Sequence, residues 1–493
     1  MLRPCAALAA FLLAAAFAPR PLPAEPAPDL AVSIDAACKT LAARNKVAGA
    51  ALGVHVVRVE DGSEVYGLAA LAPLGVASNA KLVTTAAALH TLGHDFVWRT
   101  RVHLVGGERQ GDAWTGHLLV IGAGDPNISG RFHADDPTAV FREWAAKLKA
   151  AGVAAIRGDL LLDDLLFDRT TVHPDWPVDQ LQNWYCAPIT ALALNDDCVD
   201  VSVLPGDKAG APAKIVLSPP TAHIQVVNQC VTVTSKRKHS FQILRDGAQI
   251  TVRGGYILKG GGYTEAIAVQ DPVSYFGAVL RETLAHEGIV VAGEVVVLDQ
   301  PYAPAPAPES AVATLESRMP ETLQVTNARS QNFYAEQLLK TMAAAQNGQG
   351  TFEGGAACMR AFLEAVGVPA EEFTVSDGCG LSAENRYSPA AITRVLAHAW
   401  KQPWAKTYID SLAVSGESGT LQKRFREKDY AGRVKGKTGY IASVSTLSGY
   451  VETKHHGTWA FAILVNRFKT DLSRVRKFQD DLVKTWIDLP KGE

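Results

Sequence analysis

The pattern of apolar residues changes twice along this 493-residue chain, and these changes limit the folds that it can adopt. Residues 74–93 are rich in Ala and Leu and end at Gly93, which predicts a helix. From about 97 to 298, short Val/Thr/Leu runs alternate with Gly, Asp and Pro, a pattern typical of short strands joined by turns. Helical patterns return after the alternating Pro/Ala segment at 301–310. We therefore expect a β-rich region inserted into a domain that both ends of the chain build.

The N-terminus has the layout of a secretory signal peptide. Arg3 precedes an apolar run from Ala6 to Phe17, and a Pro-rich polar stretch follows with a cleavage position after Ala24. The apolar run is shorter than the roughly 20 residues that a membrane-spanning helix needs. We expect an exported protein of the periplasm with at most peripheral membrane association.

Composition excludes some partners and predicts disulfides. The formal net charge is −2 and gives no reason to expect nucleic acid as a partner. No phosphate-binding or Cys-x-x-Cys pattern occurs, so we expect no cofactor and no metal. Six cysteines remain after signal removal, and an even number in an oxidising compartment favours disulfides. The favoured pairs are Cys186–Cys198, Cys358–Cys379 and Cys38–Cys230, and the alternative is buried thiols.

Three short motifs carry the chemistry. They are Ser78-Asn79-Ala80-Lys81 at the predicted helix start, Ser330-Gln331-Asn332 at the start of an amphipathic helix, and Lys437-Thr438-Gly439 at the start of a strand. Each motif alone occurs by chance, and Ser-x-x-Lys alone would fit a polar helix surface. Their order matches Ser-x-x-Lys, Ser-Asp-Asn and Lys-Thr-Gly, the signature of penicillin-interacting serine acyl-enzymes, with Gln at the middle position of the second motif.

The residue types suit nucleophilic catalysis. A serine hydroxyl needs a base to take its proton, and Lys81 lies on the same helix face as Ser78. Burial and a second cation, which Lys437 could supply, would keep Lys81 neutral. Ser330 could pass a proton to the leaving amine or simply cap its helix. The remaining predicted contacts are Asn332 to a substrate amide, Thr438 and Gly439 beside the substrate carboxylate, and the backbone N–H groups of Ser78 and Tyr440 as the oxyanion hole.

With these motifs, the chain resembles the D-alanyl-D-alanine carboxypeptidase/endopeptidase family, the class C low-molecular-mass penicillin-binding proteins. The resemblance extends over nearly the whole mature chain. Further similar landmarks are GAGDPNISG at 122–130, GDLLLDDLLFD at 158–168, WYCAPITALALN at 184–195, SDGCGLSAENRYSP at 376–389 and SGESGTL at 415–421.

The resemblance implies a fold and its division into domains. We expect an α/β transpeptidase-like domain, in which helices cover an antiparallel sheet, with two β-rich inserted domains. The predicted boundaries are 1–24 for the signal peptide, 25–96 for the first part of the catalytic domain, 97–300 for the inserted domains, 301–312 for the linker and 313–493 for the second part of the catalytic domain.

The resemblance also implies a serine DD-peptidase of peptidoglycan. Ser78 would form an acyl-enzyme during removal of terminal D-Ala from stem pentapeptides, with D-Ala–diaminopimelate cross-links as a second possible substrate. Stem peptides would be the partners and β-lactam antibiotics the inhibitors. In some members an inserted-domain Asp contacts the diaminopimelate amine, and Asp179 is the candidate here. The alternatives are a β-lactamase or esterase on the same scaffold, and a non-catalytic peptidoglycan-binding protein.

Overall fold

A computed structural model describes residues 28–491, with side chains from Leu30 onward. The predicted signal peptide lies outside the described residues. Both ends of the described chain contribute to one antiparallel six-stranded sheet. Its strands, in spatial order, are β2 (Glu64–Leu68), β1 (Ala51–Arg58), β24 (Thr458–Asn466), β23 (Val444–Glu452), β22 (Val434–Ile441) and β21 (Ala413–Val414).

Ten helices lie in the described chain: α1 (Pro28–Arg44), α2 (Ala80–Leu92), α3 (Ala139–Ala150), α4 (Pro272–His286), α5 (Met319–Ala328), α6 (Asn332–Asn347), α7 (Phe352–Ala365), α8 (Pro389–Trp400), α9 (Ala405–Asp410) and α10 (Leu472–Asp488). Helices cover both faces of the six-stranded sheet. Along β24, Trp459 and Phe461 face the core that contains residues of α1 and α10, whereas Ala460 and Ala462 face the core that contains α2 and α8. This alternation is the period of a strand buried on both faces, and the predicted fold class is confirmed.

The middle of the chain builds further sheets. A five-stranded sheet contains β17 (Val295–Val297), β9 (Leu160–Asp163), β7 (His117–Ile121), β4 (Val97–Val105) and β18 (Ala313–Arg318). The other sheets of this region are β16 (Val290–Val291), β8 (Ala155–Ile156), β6 (Ala113–Trp114) and β5 (Arg109–Gln110); β11 (Lys214–Ser218), β10 (Cys198–Leu204) and β15 (Tyr263–Ala268); and β12 (Gln225–Val233), β14 (Gln249–Ile257) and β13 (Ser240–Asp246). A small sheet outside the middle region contains β19 (Phe373–Thr374), β20 (Arg386–Tyr387) and β3 (Leu74–Gly75). Because β18 follows the Pro/Ala segment yet pairs with β4, the chain passes from the middle region into the helices of the motif region only at Met319.

Three residues, 329–331, separate two helices at the second motif. Helix α5 ends at Ala328 and α6 begins at Asn332. Ser330 lies in the break with φ of +62°, a left-handed conformation that a side chain rarely adopts. The interruption places the second motif at a sharp turn between two helices rather than inside one.

The predicted disulfides are wrong. All six cysteines that the structure describes have free thiols, and five of them are buried. Cys38 and Cys230 belong to different hydrophobic cores, so they cannot meet, and nearness in sequence does not bring the other pairs into the narrow geometry of an S–S bond. Burial raises the pKa of the Cys38 thiol to about 11 and that of Cys186 to about 12, which favours the protonated thiol.

Within residues 28–491 we find no helix with the length and apolar character required to cross a bilayer.

Candidate active site

Ser78 lies in a tight turn immediately before α2. The turn is a single 3₁₀ segment, Ala77–Asn79, and Ala77 has φ of +45°. Gly380 approaches this turn so closely that a Cβ there would overlap the Ala77 carbonyl oxygen. The strained turn, supported from behind by the Gly380 loop, presents Ser78 to a cavity of about 1160 Å³.

Lys81 lies one helical turn further and is fully buried beneath the cavity. Its Nζ is 3.0 Å from Ser78 Oγ, 2.7 Å from Asn332 Oδ1 and 2.7 Å from the Cys379 carbonyl oxygen. Burial lowers the pKa of Lys81, opposed by the charges of nearby acidic groups. The lysine is therefore placed within hydrogen-bond reach of the serine in a setting that favours the neutral amine.

Lys437 approaches from β22 and contacts the second motif. Its Nζ donates hydrogen bonds to Ser330 Oγ at 2.6 Å and to the Thr438 carbonyl at 2.8 Å. Lys437 is fully buried. This burial is the larger cause, and the charge of Lys81 the smaller cause, that hold the pKa of Lys437 well below its usual range. Ser330 is not the helix cap, since the Gln331 side chain accepts the Asn332 N–H instead. The Ser330 hydroxyl thus connects a buried amine to the cavity.

Strands β22 and β23 pack directly against the Ser78 turn. Asn79 Nδ2 donates to the Lys437 carbonyl at 2.7 Å, and Thr446 Oγ1 donates to the Val76 carbonyl at 3.0 Å. A Cβ added to Gly439 would lie 3.0 Å from the Ser78 backbone nitrogen. Only glycine therefore leaves space between the strand and the predicted oxyanion donor. Thr438, Gly439 and Tyr440 all line the cavity.

The inserted region holds the second motif from the opposite side. Gln331 Nε2 donates to Asp196 Oδ2 at 2.6 Å, and Arg131 pairs with the same carboxylate. Asn332 Nδ2 donates to the Tyr185 carbonyl at 2.9 Å. The position of Ser330 therefore depends on residues that are more than a hundred positions away in the chain, including a buried carboxylate.

A buried acidic cluster lies behind Lys81. Glu336 Oε1 accepts the Cys379 backbone N–H at 2.6 Å, and the Cys379 carbonyl in turn receives Lys81. Asp377 accepts the Gly380 and Ser382 backbone N–H groups and the Trp176 indole N–H. Burial, together with the Asp377 charge, raises the pKa of Glu336 to about 8. The cluster fixes the loop that supports both Lys81 and the Ser78 turn.

The structure brings Ser78, Lys81, Ser330, Asn332 and Lys437 together, but it places Asp179 elsewhere. Asp179 is exposed on a short 3₁₀ turn and does not line the cavity. Asp175 lines it instead, four residues earlier, and its Oδ2 accepts hydrogen bonds from Ser376 Oγ and Ser382 Oγ. Pro177 and the start of the 3₁₀ turn at Val178 lie between the two aspartates, so sequence spacing does not show which of them faces the cavity.

Sequence reasoning did not identify several residues that shape this site: Asn79, Arg131, Tyr185, Asp196, Glu336 and Cys379. Asn79 carried a signal, because it lies between the serine and the lysine of the first motif. Cys379 lies in a block that the resemblance had already marked, although as a candidate disulfide partner. For Asp196 and Glu336 no short pattern links the residue to its partner.

Comparisons with known proteins agree with this arrangement. A profile of the D-Ala-D-Ala carboxypeptidase 3 (S13) family matches residues 34–486. The chain is 33% identical over 432 residues to the D-alanyl-D-alanine carboxypeptidase of Actinomadura sp. (strain R39), covering 85% of this chain and 78% of that protein.

Solved structures share the fold. The crystal structure of penicillin binding protein 4 (dacB) from Haemophilus influenzae aligns with a TM-score of 0.79 at 22% identity, covering 92% of this chain and 99% of that one. The same protein complexed with a β-lactam aligns with a TM-score of 0.74. With a family profile spanning nearly all of the described residues, and a relative at one-third identity, the chain belongs to the D-Ala-D-Ala carboxypeptidase 3 (S13) family.

Proposed function

We propose that this protein is a serine DD-peptidase of peptidoglycan that acts through an acyl-enzyme on Ser78. The observation that carries the proposal is the buried Lys81 amine 3.0 Å from Ser78 Oγ, at the base of an open cavity. Family membership and the β-lactam complex of a structural neighbour support the same chemistry. Penicillin would acylate the same serine.

In the proposed acylation, neutral Lys81 takes the Ser78 proton while Oγ attacks the carbonyl of the penultimate D-Ala. The backbone N–H groups of Ser78 and Tyr440 would bind the oxyanion. Collapse of the tetrahedral intermediate breaks the C–N bond, and the leaving amine receives, by way of the Ser330 hydroxyl, the proton that Lys81 took from Ser78. Water then attacks the ester as Lys81 takes a proton from it, and Lys81 returns a proton to Ser78 Oγ when the ester C–O bond breaks. Asn332 positions Lys81 and can direct its remaining N–H to a substrate amide.

The charge of the cavity suits a peptide with carboxylates. Arg329, Lys423, Arg424 and Arg476 line it, against one lining carboxylate, Asp175. The terminal carboxylate would lie beside Thr438. Asp175 replaces Asp179 as our candidate for the free amine of diaminopimelate, and cleavage of D-Ala–diaminopimelate cross-links belongs to this proposal. The N-terminal signal pattern supports action in the periplasm.

The geometry favours slow rather than fast hydrolysis of penicillin. A class A β-lactamase uses a glutamate beside the water that attacks the acyl-enzyme. The buried acids behind Lys81, Asp377 and Glu336, do not line the cavity. A non-catalytic binding protein would not need two buried lysines, Lys81 and Lys437, because removing their amines from water costs free energy.

The test is release of D-Ala from a stem pentapeptide by the purified mature protein, with benzylpenicillin turnover measured in parallel. We expect D-Ala release that is lost in Ser78→Ala and a penicillin turnover far slower than acylation. Rapid turnover of penicillin without D-Ala release would favour the β-lactamase alternative. Absence of both activities would favour the binding protein.

A further inference from the structure

A second cavity of about 1280 Å³ adjoins the active-site cleft. It lies between the inserted region, which contributes residues 129–137, 195–200 and 263–266, and the motif region, which contributes 324–331 and 410–422. Five residues line both cavities: Trp184, Arg329, Gly419, Thr420 and Gln422. The two cavities are therefore lobes of one continuous cleft, and we call the second one the outer lobe.

Exposed aromatic rings concentrate in this cleft. Within residues 28–491, four Phe, Trp or Tyr side chains are exposed: Phe132, Trp184, Tyr263 and Tyr440. Phe132 and Tyr263 line the outer lobe, Trp184 lies at the junction, and Tyr440 lines the active-site cleft. Aromatic residues left in water cost free energy, and their restriction to one cleft marks a ligand-binding surface.

The two lobes differ in charge. The active-site cavity has four lining cations and one carboxylate, whereas the outer lobe has five lining carboxylates against Arg131 and Arg329: Asp135, Asp196, Asp200, Glu265 and Asp410. Carboxylates repel the anionic part of a stem peptide but accept hydrogen bonds from hydroxyl groups. A ligand that suits the outer lobe therefore has apolar ring faces and hydroxyls, and carries no negative charge.

We propose that the outer lobe binds the uncharged glycan to which the stem peptide is attached, as N-acetylated sugar rings stacked on Phe132 and Tyr263. This inference rests on the proposed function. An extended pentapeptide spans at most about 18 Å, so a glycan attached to a peptide that reaches Ser78 must lie close to the active-site cavity. The outer lobe begins at residues that line that cavity, and it has the ring surfaces and acceptors that a sugar requires.

The experiment compares two substrates: a stem pentapeptide alone and the same pentapeptide on an N-acetylglucosaminyl-N-acetylmuramyl disaccharide. We expect the ratio of their kcat/KM values to favour the disaccharide substrate about tenfold in the wild type. In the Phe132→Ala/Tyr263→Ala variant the ratio should fall to near one. Val290→Ala, which removes an exposed apolar side chain outside both cavities, should keep the wild-type ratio.

Each other outcome has a defined meaning. A wild-type ratio near one overturns the glycan site while leaving the DD-peptidase intact, because D-Ala is still released from both substrates. No release from either substrate, with no penicillin acylation, defeats the proposed function instead. A preference for a sugar-free cross-linked peptide with a free amine would assign the outer lobe to a cationic second peptide and overturn the glycan proposal.

A second measurement does not depend on the folding of the double variant. In saturation-transfer NMR on the full-length Ser78→Ala protein with the disaccharide pentapeptide, we expect saturation of the sugar N-acetyl and ring protons. Saturation confined to the peptide protons would overturn the proposal.

Discussion

Replacing Gln331 by glutamate tests whether the inserted region positions the catalytic serine pair. Gln331 Nε2 lies 2.6 Å from Asp196 Oδ2, and its Oε1 accepts the Asn332 N–H at 3.0 Å. Glutamate has the same shape but puts an oxygen where the donor was. The change therefore creates a pair of facing carboxylates beside Ser330, where Arg131 already pairs with Asp196.

The magnitude follows from two contributions. Loss of a hydrogen bond to a charged group costs about 1.5–3 kcal/mol. Two unit charges about 4 Å apart repel by about 4 kcal/mol at an effective dielectric constant of 20, a cost that the pair reduces by sharing a proton. We therefore expect that keeping the second motif in its catalytic position costs about 2–4 kcal/mol more in the variant. If this cost adds fully to the activation free energy of acylation, the acylation rate falls by about 30- to 1,000-fold.

The assay is the rate of acylation by a fluorescent penicillin. Asp196→Asn in the Gln331→Glu background restores a donor opposite the carboxylate, and Asn tolerates the left-handed backbone at position 196, where φ is +59°. The double variant should recover to within about tenfold of the wild type. Gln249→Glu makes the same charge change at an exposed site and should have no effect. Wild-type acylation by Gln331→Glu, or no recovery in the double variant, would refute the reasoning.

Three further predictions concern neighbouring features. Gly439→Ala should slow penicillin acylation by about 100-fold, because its Cβ would lie 3.0 Å from the Ser78 nitrogen, and a rate within threefold of wild type would contradict this. Burial raises the pKa of Glu336 from 4.5 to about 8, so the folded state binds this proton more tightly than the unfolded state does. The free energy of unfolding should therefore fall between pH 4.5 and pH 8, by up to about 1.4 kcal/mol per pH unit. Urea denaturation of the wild type and of Glu336→Gln, which lacks the titrating group, measures the difference. Thiol titration of the denatured, unreduced protein should detect all six cysteines of residues 28–491 as free, and fewer would contradict the structure.

The parts of the site that the sequence predicted are those with local patterns. Lys81 lies on α2 and Ser78 lies in the 3₁₀ turn just before it, while Lys437 lies within β22 rather than at its start. The local patterns therefore placed these motifs to within a few residues of the right elements. The Val/Thr/Leu runs at 225–233 and 295–297 likewise became strands. In each case the information lies within about ten residues of chain.

The parts that it did not predict depend on contacts between distant segments. The break at Ser330 is stabilised by Lys437, Asp196 and Tyr185, none of which is near it in sequence. The even number of cysteines and the nearness of Cys358 predicted a disulfide for Cys379. In the structure its backbone N–H instead donates to Glu336 and its carbonyl accepts a hydrogen bond from Lys81. Such roles follow from burial and orientation, which no short motif encodes.

The central claim is that Ser78 is the nucleophile, and intact-mass analysis with benzylpenicillin tests it most directly. Our account predicts that the wild-type mature protein gains the mass of one penicillin in a stable adduct, and that Ser78→Ala gains none. An adduct of the same mass on Ser78→Ala, or an unmodified wild-type protein beside intact drug, would contradict it.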